Sequence, residues 1–343
     1  MLEAVYLDYE IPIWRYFYEE KTQIPKEFIY QNKKYKNGIT IIQFSCFVNN
    51  KTFIKNKNFL RNLNKIPNPI LCAPNQETFE LLKKIFPKNH VIIANHNSFI
   101  NEHFYNIYPS PKKYDMVINS SFLKLKQVHL GKKINNTAHI GYQCMGKIQY
   151  IPDYGFRINF KNNSMDMKDW RWLNHQEILD IYKSSKIGGI FSEKEGACFS
   201  SSEYLLCGLP VLSVNCQGGR EYFYNNYNSV LCKSSEKSVY QGYLKLIDRY
   251  KKGTHNPHKI RKRHIKIMEK DRNTLTNKVI EIFKTLIKIP PEFNDLKNKL
   301  KYYHSNIGLG SHYNIEKTQH PIFYEECIKQ ADRRILATEI LKN

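Results

Sequence analysis

The stretch EKEGACFSSSEYLLCGLPVLS, residues 193–213, holds the side chains best suited to chemistry. Glu195 and Glu203 stand eight positions apart across a run of small residues, and Cys-Gly-Leu-Pro at 207–210 closes the run before an apolar segment. With Glu195 in a loop and a helix over roughly 198–207, the backbone N–H groups of Gly196, Ala197, Cys198 and Phe199 sit at a helix N-terminus. That place suits a phosphate both electrostatically and by hydrogen bonding. Gly196 and Ala197 have too little side chain to obstruct the approach. Glu203, more than one turn further on, offers a carboxylate to two adjacent hydroxyls such as those of a ribose; Glu195, at the mouth, offers one to a second sugar. A plainer assignment competes, in which Glu195 favours the helix macrodipole and Glu203 is an exposed helix residue. Spacing alone does not separate the two. The context favours a ligand: a strand and helix before the pair, Glu-Gly within it, Cys-Gly-Leu-Pro-Val after it.

Several elements must position these residues. In the first 95 residues, short apolar runs at AVYLDY, GITIIQFSCFV (38–48), PILCAP (69–74) and HVIIAN (90–95) predict buried strands, and QETFELLKKIF (76–86) has helical spacing. Pro109 and Pro111 mark 101–113 as a linker. A second α/β series follows: YDMVINS (114–120), NTAHIGY (136–142), RINF (157–160), a helix over QEILDIYKSS (176–185) and a strand at IGGIFS (187–192). Gly208 is a natural helix C-cap, Pro210 prevents continuation, and VLSV (211–214) is the next strand. Strands alternating with helices predict parallel sheets, which bind ligands at the C-terminal ends of their strands. After about residue 235 the segments VYQGYLKLIDRY and NKVIEIFKTLIKI read as helices, and a basic, mostly helical tail follows Pro290 and Pro291.

These residues resemble the family-4-type glycosyltransferases of the GT-B fold. Glu195 and Glu203 match the family's Glu-x7-Glu motif, and Cys207 to Val211 match the turn that closes its helix. VIIANHNSFINEHF (91–104) is similar to the entry into the interdomain linker, with His96 in place of a glycine. VINSSFLKLK (117–126) is similar to the first strand and loop of the donor domain, where the family has an Arg and, five residues later, a Lys facing the diphosphate. Lys126 matches the Lys, whereas Ser121 stands where the Arg would be, which leaves the charge to Lys126, the helix N-terminus or a residue such as Lys124. GGREYF (218–223) is similar to the Gly-Gly…Glu segment beyond the motif. The resemblance spans residues 90–235 and leaves the acceptor side unmatched.

It implies two Rossmann-like α/β domains facing a cleft: a short acceptor-side domain at 1–107, a nucleotide-sugar domain at 108–289 and a helical extension at 290–343. It implies sugar transfer from a nucleotide sugar, a UDP-sugar first, with retention of configuration and no metal or other cofactor. Glu195 and Lys126 would act on the donor; Ser121, Gly196, Ala197, Cys198, Phe199 and Glu203 would bind it; His96 would line the cleft. The acceptor would be a glycan, a lipid-linked sugar or a lipopolysaccharide. The rivals are a GT-B relative that binds nucleotide sugar without transfer, and a nucleic-acid-directed protein.

Composition sets the bounds. A chain of 343 residues with 41% hydrophobic and 13% aromatic residues folds as about two domains. Its 53 Lys+Arg against 31 Asp+Glu, formally +22, favour an acidic partner, although the accompanying wealth of Asn, Ile and Tyr fits coding bias equally well. No nucleic-acid motif accompanies the charge, so nucleic acid ranks last among partners. The eight cysteines form no Cys-x-x-Cys pair and read as free thiols. His129, His139 and His175 lack metal spacing, and Trp170 and Trp172 beside Arg171 read as packing. The acidic N-terminus lacks the pattern of a secretory signal. The expected location is the cytoplasm, with peripheral contact at the inner face of the membrane.

Overall fold

A computed structural model describes residues 2–6, 11, 13–18, 38–44, 48–49, 59, 63, 65–121, 124–142, 155–158, 173, 175–196, 198–287 and 290–301. Ala197, the side chains of Ser121, Lys124 and His175, residues 170–172 and the tail from 302 onward lie outside the described residues.

Strands β1 (Leu2–Tyr6), β2 (Ile13–Tyr18), β3 (Ile39–Phe44), β4 (Pro69–Ala73) and β5 (His90–Ile93) form one sheet in that order. β1 runs antiparallel to β2 and the rest are parallel. β3 is buried at every position, as a parallel strand covered on both faces should be. Its side chains alternate: Ile39 and Ile41 join Ile70 and Cys72 in one core, while Ile42 and Phe44 join Leu71 and Ala73 in the other. Helix α1 (Gln76–Ile85) covers the second of these faces through Leu82. Its N-cap Asn75 accepts from the Thr78 N–H at 2.8 Å, and Glu77 and Lys83–Lys84 suit the two ends of its dipole. β2 has no counterpart among the expected strands. Arg15 interrupts its apolar pattern, yet is wholly buried: its Nη2 donates to the Leu300 carbonyl at 3.0 Å and its guanidinium lies 5.3 Å from the Phe99 ring centre.

The second series supplies β6 (Tyr114–Ser121), β7 (Thr137–Tyr142), β8 (Gly155–Ile158), β9 (Ser185–Ile190), β10 (Lys194–Glu195), β11 (Val211–Val214), β12 (Gln217–Gly218) and β13 (Ser229–Cys232). Six of these make a sheet in the order β13-β11-β9-β6-β7-β8, parallel except at β8, and β10 pairs with β12 apart from it. Helices α2 (His175–Lys183) and α3 (Phe199–Leu206) cover one face: Ile178, Tyr182, Tyr204 and Leu205 pack with Val117 and Val211. Helix α4 (Glu236–Lys251) covers the other, where Val239 and Leu246 meet Met116, Ile118, Leu212 and Val214. α3 ends as its sequence requires, with Gly208 at φ +76° just beyond it.

Helix α5 (Pro257–Leu286) begins well before NKVIEIFKTLIKI, the part of it that reads as a helix in the sequence. Asn256 caps it by accepting from Lys259 N–H at 3.0 Å, and Pro257 occupies its first turn. At about 1.5 Å per residue it is long enough to serve both sheets. Ile260 and Met268 enter the second core, whereas Leu275, Val279, Ile282 and Phe283 enter the first, with Leu296 and Leu300 of α6 (Phe293–Leu300) beside them. Two arginines of α5 fasten the linker between the sheets. Arg261 donates to the carbonyls of Glu102 (2.5 Å), Leu206 (2.7 Å) and Tyr105; Arg272 donates to those of Ser98 (2.7 Å) and Ile100 (3.0 Å) and to the Glu102 carboxylate (2.9 Å).

Candidate functional site

The C-terminal ends of β6, β9 and β11 carry the charged cluster. Glu195 lies on the loop between β9 and α3, in the two-residue ladder with β12. Lys126, from the 3-10 turn Lys124–Lys126 after β6, pairs with Glu195 Oε1. On the other side Arg220 Nη1 lies 3.2 Å from Oε2, and the Ser192 hydroxyl donates to the same oxygen. Both ends of the Lys126–Glu195 pair are largely covered, at 17% and 13% side-chain exposure, so water screens them weakly. Burial pushes the Glu195 carboxyl up, but Lys126 and Arg220 outweigh it and hold the group below the usual carboxylate range. Lys126 and Arg220 thus flank the Glu195 carboxylate, and a second carboxylate, Glu221, accepts from the Cys216 N–H just past β11.

The ladder requires glycine on the β12 side. Gly218 has φ +145°, and a Cβ there would fall 1.4 Å from the Glu195 carbonyl oxygen; one on Gly219 would fall 2.3 Å from that of Gly196. The Gly219 N–H donates to the Gly196 carbonyl, so the loop holding Glu195 is stitched to the loop holding Arg220. The first sheet grips the same place. Asn75 Nδ2 donates to the Gly218 carbonyl at 2.6 Å, and Asn95 Nδ2 donates to the Gly219 and Pro74 carbonyls at 2.9 Å each.

α3 begins beside this cluster. Cys198 is its N-cap; its side chain makes no capping bond and its carbonyl accepts from the Ser201 N–H at 3.1 Å. Asn97, from the 3-10 turn His96–Phe99, donates to the Cys198 carbonyl at 2.8 Å and to Ser202 Oγ at 3.0 Å. His96 is buried, with Nδ1 3.2 Å from the Phe44 carbonyl oxygen and its ring edge-on to Phe199 at 4.9 Å. Phe199 itself is 39% exposed.

The structure thus joins Lys126 to Glu195 and His96 to Phe199, with Gly196 and Cys198 between them. Ser121 ends β6, its backbone registered against Tyr142. Glu203 stands in a different group: it is partly buried, and Tyr182 Oη donates to its Oε2 at 2.7 Å while the Tyr105 hydroxyl supplies another bond. Burial there raises its carboxyl above the usual range despite those bonds. Asn119, near the end of β6, joins the group by donating to Tyr182 Oη. Glu203 is therefore not the exposed helix residue of the plainer assignment.

Sequence reasoning missed Arg220 and Ser192. The GGREYF segment contains the arginine, but nothing local announces that it faces Glu195, 25 positions earlier. Where the resemblance left one cation missing at Ser121, the structure sets Arg220 beside Glu195. Among the described residues, no three His, Cys, Asp or Glu side chains converge as a metal-binding group, and no helix is long and apolar enough to cross a membrane.

Residues 167–266 match the family model of glycosyl transferases group 1. The chain is similar to the crystal structure of Anabaena Alr3699/HepE in complex with UDP, with a TM-score of 0.52 and 13% identity over 76% of this chain and 75% of that one. The same protein in complex with UDP-glucose gives 0.51 and 13%, covering 77% of each chain. The pneumococcal O-GlcNAc transferase GtfA in complex with UDP and GlcNAc gives 0.48 and 14% over 74% of this chain; the chain spans 54% of that transferase's length. No curated protein sequence matches. The chain has the GT-B fold, and its residues 167–266, which hold Glu195, Glu203 and Arg220, match the model of the glycosyl transferases group 1 family.

Proposed function

We propose that this protein transfers a sugar from a nucleotide sugar to a hydroxyl acceptor. The observation that carries the reading is the Lys126–Glu195–Arg220 cluster, set at the strand ends beside the first turn of α3. In such a reaction the bond from the sugar C1 to the β-phosphate oxygen breaks and a bond from C1 to the acceptor oxygen forms. The acceptor proton passes to the leaving phosphate. Negative charge grows on that phosphate, and Lys126 and the α3 N–H groups are the donors that meet it. Cations already standing at the site support a metal-independent reaction, and the family resemblance supports retention of configuration.

Glu195 orients the donor sugar. Glu203 takes the ribose: its carboxylate has about four acceptor sites, of which Tyr182 and Tyr105 use two. A UDP-sugar is the donor of choice because Anabaena Alr3699/HepE, of like fold, is seen with UDP and with UDP-glucose. The acceptor is a glycan, lipid-linked sugar or lipopolysaccharide, presented at the cytoplasmic face of a membrane. Support comes from α5, whose outward face carries Lys259, Lys262, Arg263, Lys266 and Lys270, opposite the buried Ile260, His264, Met268 and Asp271.

The test is release of nucleotide from a panel of UDP-, GDP-, ADP- and CMP-sugars, run beside Glu195→Gln and Glu203→Gln. Release from one donor that collapses in both variants supports transfer chemistry. Calorimetric binding of a donor without any turnover would favour a non-catalytic relative, and no binding of any donor would overturn the nucleotide-sugar site.

A further inference from the structure

We infer that Arg220 is a positioning residue: it fixes the Glu195 carboxylate in the orientation that receives the donor sugar. The inference rests on the donor assignment above, since it needs Glu195 to face the sugar.

Arg220 has no exposed surface. Its five N–H donors meet five acceptors: Nε to Ser213 Oγ (3.2 Å), Nη1 to Ser192 Oγ (2.7 Å) and Glu195 Oε2 (3.2 Å), Nη2 to the carbonyls of Ser192 (2.6 Å) and Val214 (3.0 Å). A guanidinium engaged in this way has no donor left for a phosphate. What it does instead is brace the end of β9 against the end of β11, with Glu195 Oε2 as its one charged contact. Ser192 makes the brace double, because its hydroxyl accepts from Arg220 and donates to that same oxygen. The other oxygen, Oε1, turns to Lys126. Oε2 is thus held by Arg220 and Ser192 and Oε1 by Lys126, so the carboxylate plane is set before any ligand arrives. Such fixed first contacts are what sugar orientation in transfer requires. Lysine cannot replace the arginine, for three donors at a point cannot span Ser213, Ser192, Val214 and Glu195.

The experiment measures dissociation constants by calorimetry for the donor of the panel that binds best and for its nucleotide without the sugar, from pH 4 to pH 8. The proteins are the unsubstituted chain, Glu195→Gln, Arg220→Lys and Ser192→Ala. Arg220 acting through Glu195 weakens sugar-nucleotide binding about tenfold or more in all three variants and leaves the bare nucleotide within about twofold. It also moves the acid limb of the affinity profile to higher pH in Ser192→Ala, because the carboxylate loses a donor that favours its charged form. A merely structural role would weaken nucleotide and sugar-nucleotide alike and leave the acid limb in place, which overturns the inference. If Glu195→Gln weakens sugar binding while Arg220→Lys and Ser192→Ala do not, the inference alone fails. If Glu195→Gln changes nothing, or no panel member binds, the donor assignment fails with it. Should Arg220→Lys not fold, Ser192→Ala decides the matter, since it removes only a hydroxyl.

Discussion

At the site the first sheet presents Asn75, Asn95, His96 and Asn97, while the second presents Lys126, Glu195 and Arg220. The three asparagines of the first set hydrogen-bond backbone carbonyls of the second, while His96 faces the Phe44 carbonyl of its own sheet; the second set is charged and bonds mainly within itself. The division is physically sensible. Charge needed for a diphosphate is costly to bury unless paired, and it is paired here on one sheet, so relative motion of the sheets leaves it intact. Neutral amides give geometric control of the Gly218–Gly219 segment at little electrostatic cost. The first sheet shapes the site and the second supplies its field.

Substitutions can break this division. The largest effect is expected for Lys126→Ala, which removes the cation proposed to meet the leaving phosphate and should lower the rate of nucleotide release about 10²–10³-fold, with little change in the melting temperature. Asn95→Ala comes next: the Pro74 and Gly219 carbonyls lose a donor and the Asn97 N–H loses an acceptor. Each such loss costs about 1–3 kcal/mol, so thermal melting should reveal a clear destabilisation while nucleotide release falls less than tenfold. Equal losses of activity in the two variants would erase the proposed distinction between shape and field.

A smaller effect concerns the linker that joins the sheets. Burial pushes the Glu102 carboxyl up, but hydrogen bonds and charge from Arg272, with Lys301 beside them, bring it down to about 2. Its folded value lies below its unfolded one, so the stabilisation is complete above about pH 4.5 and fades as pH falls toward 2. Glu102→Gln should therefore be less stable than the parent at pH 7 and converge on it in acid, as followed by denaturant melts over that range. Smallest of all is the outward face of α5. Lys262→Glu with Lys266→Glu should alter stability by only about 0.5 kcal/mol while reducing sedimentation with vesicles rich in anionic lipid.

The two sheets also differ in how openly the sequence declares them. In the second, Gly208, Pro210 and the Glu195–Glu203 spacing are local signals, and α3 with the strands around it lies where those signals put it. In the first, β3, β4, β5 and α1 follow from continuous apolar runs and helical spacing, but β2 does not. Arg15 reads as a surface residue, because its partner is the carbonyl of Leu300, 285 positions away. The length of α5 is likewise hidden: its buried face turns from the second core to the first along its length, and only NKVIEIFKTLIKI, which faces the first core, reads as a helix. In the site, the family resemblance implied that Lys126 and Glu195 act on one donor but not that they pair with each other, since periodicity cannot bring positions 69 apart together. Arg220 escaped for the same reason, and so did the tyrosines that hold Glu203. Local patterns fix elements; the pairings that make the chemistry are long-range.

We propose that a nucleoside diphosphate sits beside Lys126 at the strand ends of the second sheet. A crystal structure of the full chain soaked with UDP tests it most directly. The expected result is the diphosphate within hydrogen-bonding distance of Lys126 Nζ and the first-turn N–H groups of α3, with the ribose hydroxyls on Glu203. UDP bound elsewhere, or strand ends left vacant at saturating UDP with Lys126 still paired to Glu195, would contradict it.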